Sequence, residues 1–151
     1  MSATDPTTAT ATTGTTTRTT ARPLSRGSDL AVRTLQIVLA LFLAIPSALP
    51  KLIGHASAAE SFDKIGFGDW FMYLVGVLEL AGAVALVIPI LSGLSALALI
   101  GLMAGAFITQ MTVFDGQYAI TPVLVAIPLA VIAWTRRNRT AELFAVVRER
   151  L

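Results

Sequence analysis

The run from Asp69 to Pro89, D-W-F-M-Y-L-V-G-V-L-E-L-A-G-A-V-A-L-V-I-P, constrains the fold more than any other part of the chain. About 20 apolar residues in succession make a helix long enough to cross the hydrocarbon core of a bilayer. Water is absent there, so backbone N–H and C=O groups must be satisfied within the segment, which selects a helix. One ionisable side chain, Glu79, sits near the middle of the run. A carboxyl at mid-depth costs about 2.5–3.5 kcal/mol on insertion scales. Glu79 should therefore face protein and not lipid.

Three further apolar runs flank this one, at about Thr34 to Leu52, Leu94 to Phe114 and Thr121 to Trp134. Only 13% of the 151 residues are charged, against about 25% in soluble domains, and the deficit falls between Leu35 and Trp134. The expected fold is all-α, a transmembrane four-helix bundle with short amphipathic surface helices and a disordered N-terminal tail. Residues 1–29 are assigned to a disordered, Thr-rich cytoplasmic tail, because they hold too little apolar surface to offset chain ordering. A transit peptide, or a signal peptide cut after Ala56-Ser57-Ala58, competes with that assignment. Lys51, Pro50 and His55 sit awkwardly before such a cleavage site. Residues 30–136 form the four-span domain. Residues 137–151 read as a basic amphipathic helix with Leu143, Phe144, Val147 and Leu151 on one face, lying on the membrane or solvated.

On the first span, Gln36, Ala40, Ala44, Ser47 and Lys51 fall near one face at helical spacing. This small and polar stripe should face protein, and Pro46 and Pro50 should kink or end the helix. In the following loop, Ser57-Ala-Ala-Glu60 fits a capping box and Gly66 a stop. A short surface helix is expected, with Phe62 and Ile65 on one side and Asp63 and Lys64 toward water. Asp69 is the expected N-cap of the second span, with Trp70 and Tyr73 at the interface belt. Thr121-Pro122 is the expected N-cap and first residue of the fourth. That last run is short for a bilayer, so it should borrow residues from Tyr118 onward or the bundle should thin the membrane locally, and Pro128 should bend it.

All but two of the eleven basic residues lie before the first span or after the fourth; Lys51 and Lys64 are in the first loop. The positive-inside rule then places both termini in the cytoplasm, which requires an even number of spans. Arg136, Arg137 and Arg139 are read as this topology signal and not as a nucleic-acid patch, so no nucleic-acid partner is expected. The bilayer itself is the expected partner. The plasma membrane is the expected location.

Glu79 leads the candidates for ligand binding or proton exchange. Gly76, Gly82 and Ala83 share its side of the helix, so another helix can approach and enclose the carboxyl. The competing reading is a structural hydrogen bond or ion pair that only fixes packing. Lys51 is the natural counter-charge. Glu79, however, lies about 15 Å below Asp69 at ~1.5 Å per residue, whereas Lys51 belongs near the outer face. Snorkelling of Lys51 to the head groups is the expectation, with pairing only through a bent first helix. Gln36, Tyr73, Thr109 and Gln110 complete the candidate set, and the last three could line an outer cavity with Lys51. Gly101 and Gly105 form a small-x3-small ridge for helix packing, and Gly76 and Gly82, three residues either side of Glu79, are packing positions on the second span. His55 is expected to be solvated. The absence of cysteine excludes thiolate chemistry. One histidine argues against a metal site. No hydrolase elbow, zinc helix, phosphate loop or dinucleotide fingerprint is found.

P-K-L-I-G at Pro50 to Gly54, F-D-K-I-G-F-G-D-W-F at Phe62 to Phe71 and Y-L-V-G-V-L-E-L-A-G-A at Tyr73 to Ala83 resemble the DoxX and DoxX-like membrane proteins. G-L-M-A-G-A in the third span and the proline-containing fourth span fit as well. The resemblance covers about Arg33 to Trp134. It implies a four-helix membrane bundle linked to quinol oxidase or quinone-dependent oxidoreductase systems. The implied role is an accessory or quinone-like ligand-binding subunit beside a redox-enzyme partner, without a tightly bound cofactor of its own. Two other readings stand beside it: a structural or chaperone-like membrane protein, and a small-molecule carrier built as a homo-oligomer. Relatives place a histidine near the outer end of the third span, where this chain has Thr109-Gln110-Met111. That departure speaks against haem ligation or a proton relay there.

Overall fold

A computed structural model describes residues 26–138, 140, 141 and 148. The Thr-rich segment and most of the C-terminal basic stretch, with the expectations attached to them, lie outside the described residues. Five helices follow in order: α1 (Arg26–Leu52), α2 (Ala56–Ile65), α3 (Asp69–Val87), α4 (Ser92–Val113) and α5 (Ile120–Thr135). α1, α3 and α4 are long and apolar enough to cross a membrane, and α5 is a shorter apolar helix of 16 residues. These four pack as a ring, α1 on α3, α3 on α4, α4 on α5 and α5 back on α1. The protein is an all-α four-helix membrane bundle, with α2 as a short fifth helix across one end.

The sequence explains both surfaces of this ring. Leu39, Leu43, Leu86, Leu99, Met103, Leu129 and Ile132 form the core. Outside, Leu41, Val77, Leu97, Ile108 and Leu124 are all more than half exposed. So continuous an apolar belt has no place in water. In lipid the transfer term largely vanishes, and helix contact rests on close packing and hydrogen bonds. Gly82 shows this: a Cβ there would stand 2.6 Å from Leu99 Cδ2, so glycine alone permits the α3–α4 approach. Ser95 Oγ donates to the Gly82 carbonyl at 2.6 Å across the same contact.

α1 departs from the expected first span in two ways. It starts at Arg26, eight residues before Thr34 and inside the stretch assigned to the tail. At Pro46, where a kink or an end is expected, it continues through a distorted turn, and it ends two residues after Pro50. Leu43–Ala48 is wound as a π-helix around Pro46, and the Leu49 N–H donates to the Ala44 carbonyl, five residues back. Pro46 lacks the N–H that a regular turn would use, and the wider turn accommodates that loss. Three helix starts also differ from expectation. His55, not Ser57, caps α2, its Nδ1 accepting the Ser57 N–H at 3.4 Å. Gly68 (φ +83°) precedes α3, and Asp69 is its first residue and not its N-cap. α5 begins at Ile120, within the expected extension toward Tyr118, but Ala119 and not Thr121 precedes it as cap. Gly66 stops α2 as expected, in the left-handed conformation.

Candidate functional site

Antiparallel register sets the site. Gly54 lies beside the Tyr73 hydroxyl, Lys51 beside Gly76, Ser47 beside Glu79, and Gln36 reaches Leu86. A Cβ on Gly76 would stand 3.0 Å from Lys51 Cβ, so the glycine lets the lysine backbone lie against α3. The end of α1 is therefore level with Gly76, two turns inside the start of α3. This overturns the expectation that Lys51 is too shallow and snorkels. The π-wound turn at Leu43–Ala48 lies in the segment that leads to Lys51.

Lys51 Nζ donates to Glu79 Oε2 at 2.7 Å, to the Ser47 carbonyl at 2.8 Å and to Ser47 Oγ at 3.2 Å. Ser47 Oγ donates in turn to Glu79 Oε2 at 3.0 Å. All three ammonium protons thus have acceptors. The side chains are only 17% and 6% exposed for Lys51 and Glu79. Desolvating two charges is expensive, and their attraction repays it only with good geometry and further hydrogen bonds. Ser47 supplies these. The result is a fixed donor and a fixed acceptor in direct contact inside the helix ring.

The other candidates are not brought to this pair. Tyr73 is 43% exposed, with its hydroxyl over Gly54. Thr109 donates to the Gly105 carbonyl of its own helix at 3.0 Å. Gln110 Oε1 is buried without a hydrogen-bond partner among the described residues. No hydrogen bond among the described residues joins these three to Lys51 or Glu79. The grooves on the bundle run between α3 and the start of α4, lined by residues such as Leu78, Ala81, Ala85 and Ala98, and are apolar. Neither of these grooves is lined by Lys51, Tyr73, Thr109 or Gln110. Gly76 and Gly82 pack as expected. Gly101 and Gly105 do not: both are exposed, and a Cβ on either meets nothing within 4 Å. Their ridge faces away from the other described helices, because α4 uses Ser95, Ala96, Leu99 and Met103 for its inner face. Among the described residues no group of three or more His, Asp or Glu side chains could hold a metal.

Gln36 belongs to a second polar cluster at the opposite end. Its Nε2 donates to the Leu86 carbonyl at 3.0 Å, and its Oε1 accepts from Arg136 Nη2 at 3.4 Å. Arg136 Nη1 lies 2.8 Å from Asp29 Oδ1. Arg136 is 3% exposed, far more buried than a topology-marking arginine need be. This clamp joins α1, α3 and the end of α5 and went unread in the sequence. The one available signal was Asp29, an acidic residue in an otherwise basic flank. The apolar core, with Leu39, Leu43 and Leu86, separates the two clusters.

Comparison with known proteins bears on the whole bundle. The model of the DoxX-like family matches residues 34–135, which include all four apolar helices except the first turns of α1. No curated protein and no solved structure matches the chain.

Proposed function

The chain belongs to the DoxX-like family, and from that membership and the buried Lys51–Ser47–Glu79 cluster we propose that it is an accessory subunit of membrane redox metabolism that binds a quinone-like head group. The observation that carries this reading is the 2.7 Å contact between an ammonium and a carboxylate inside the helix ring. Intramembrane charges are expensive, and where they persist a function is the default expectation. On this reading a quinone carbonyl accepts from Lys51 Nζ in place of a Ser47 oxygen, and a quinol hydroxyl donates to Glu79. On this reading a partner enzyme supplies and takes up the electrons. Both termini are proposed to face the cytoplasm of a plasma membrane. Arg26, Arg33, Arg136 and Arg137 then lie on the inner side and α2 on the outer side.

A second reading has its own observation. With all three Lys51 protons satisfied within the chain, the cluster is also complete as a structural lock between α1 and α3. One experiment separates them. Wild type and Glu79→Gln, in lipid nanodiscs, are titrated with a soluble short-chain quinone by calorimetry, and each is melted without ligand. Saturable binding that Glu79→Gln abolishes supports the binding site. No binding by wild type, with a lowered melting temperature for Glu79→Gln, leaves the structural lock. Mass spectrometry of proteins retained in mild detergent tests the partner enzyme.

A further inference from the structure

We propose that α2 is a movable lid over the Lys51–Ser47–Glu79 site, pivoting at Gly54 on one side and at Gly66 and Gly68 on the other. The proposal rests on reading that cluster as a binding site, and concerns how a ligand reaches it. Lys51 and Glu79 are enclosed, and the ammonium has no free proton. A ligand therefore enters only if something moves, and α2 is the element built to do so.

α2 follows Lys51 after four residues, returns to the start of α3 and packs against the end of α1, α3 and α4. It thus lies across the end of the bundle nearest the pair. It is the one described helix with no buried residue. Ala58, Ala59, Phe62 and Ile65 are half-buried on its inner face, while Glu60, Asp63 and Lys64 are exposed. Elements with so few buried contacts open at the low end of a protein's range of local stabilities. Gly54 (φ +65°), Gly66 (φ +85°) and Gly68 (φ +83°) bracket it. Such residues change backbone angles without strain on a side chain, as hinges require. The closed position has its own latch: Phe62 of α2 packs tilted against Phe71 of α3 at 5.8 Å between ring centroids, and Phe67, between the hinge glycines, meets the same ring edge-on at 5.2 Å. Once released, the apolar face can rest on the lipid surface with its charges in water, as an interfacial helix does.

The chain contains no cysteine, so the test is clean. Ser47→Cys places one thiol beside Glu79, and its reaction with a charged, membrane-impermeant methanethiosulfonate is timed in nanodiscs. Phe62→Cys and Phe71→Cys are then added and oxidised to tie α2 to α3, with mass spectrometry confirming the bridge. Locking is expected to slow labelling at least tenfold, and reduction before labelling to restore it. An unchanged rate in the locked protein overturns the lid. Hydrogen exchange on the unmodified protein guards against a misfolded variant. The amides of residues 57–65 should exchange as one block at least 100-fold faster than those of Met72 to Leu86, and equal protection overturns the proposal. Neither readout uses a quinone. Lock-dependent labelling without quinone binding removes the ligand and keeps the lid, while quinone binding with lock-independent labelling does the reverse.

Discussion

Replacing Lys51 with methionine isolates the energetics of the buried pair. Methionine keeps an unbranched stem against Gly76, so the change removes the charge with little loss of packing. Two unit charges about 3 Å apart attract by roughly 5 kcal/mol at an effective dielectric of about 20. Neither partner is exposed enough for solvent to screen this strongly, at 17% and 6%. Against it stands the desolvation of both groups. Breaking a buried pair from one side therefore costs about 3–5 kcal/mol, while removing both charges together can be close to neutral. Lys51→Met and Glu79→Leu should each lose stability in that range. The double variant should recover most of the loss, so that the two effects are far from additive. Thermal unfolding of all four proteins at one detergent concentration measures the cycle. For a chain of this size the single variants should melt on the order of 10 °C lower. Single losses below about 1 kcal/mol, adding simply in the double variant, would refute the reasoning.

Three further outcomes follow from packing. Gly82→Ala pushes a methyl to 2.6 Å from Leu99 Cδ2 and should destabilise by about 1–3 kcal/mol. Leu99→Ala in the same background should recover part of this, measured by the same melts. Gly105→Ala meets nothing within 4 Å, so it should raise stability by about 0.5–1 kcal/mol through helix propensity alone. A loss instead would mean that the ridge packs against another chain, which crosslinking in nanodiscs would detect. Asp29→Ala leaves the Arg136 guanidinium without its 2.8 Å partner. Asp29 is 37% exposed on its side chain, so the expected loss is discounted to about 1–3 kcal/mol. Asp29→Glu should restore much of it.

The bundle was readable because membrane burial writes itself into long apolar runs, and Glu79 stood out because those runs exclude charge. The orientation of Glu79 also followed, since Gly76 and Gly82 flank it at helical spacing. Its pairing did not. The first helix was placed by its apolar run from Thr34, but it begins among polar residues at Arg26, and charge-flanked ends leave depth uncertain by several residues. The π-turn around Pro46 is a tertiary accommodation that local propensity does not announce. Gly101 and Gly105 show a different limit. A small-residue ridge says that something can come close, not which helix does, and α4 turns that ridge outward. The clamp of Asp29, Gln36 and Arg136 joins residues up to about a hundred positions apart, beyond the reach of any local pattern. His55 capping α2 in place of Ser57 is a one-turn competition between two acceptors, decided by where the chain leaves α1.

Infrared difference spectroscopy tests the proposed binding site most directly. Adding a short-chain quinone to the lipid-reconstituted protein should shift the carboxylate or carboxyl band of Glu79, because the ligand replaces part of its hydrogen-bonded shell. The band should be missing in Glu79→Gln, and the shift lost when Lys51→Met removes the donor. A wild-type spectrum unchanged in this region at saturating quinone would contradict the binding site and leave the pair as a structural lock.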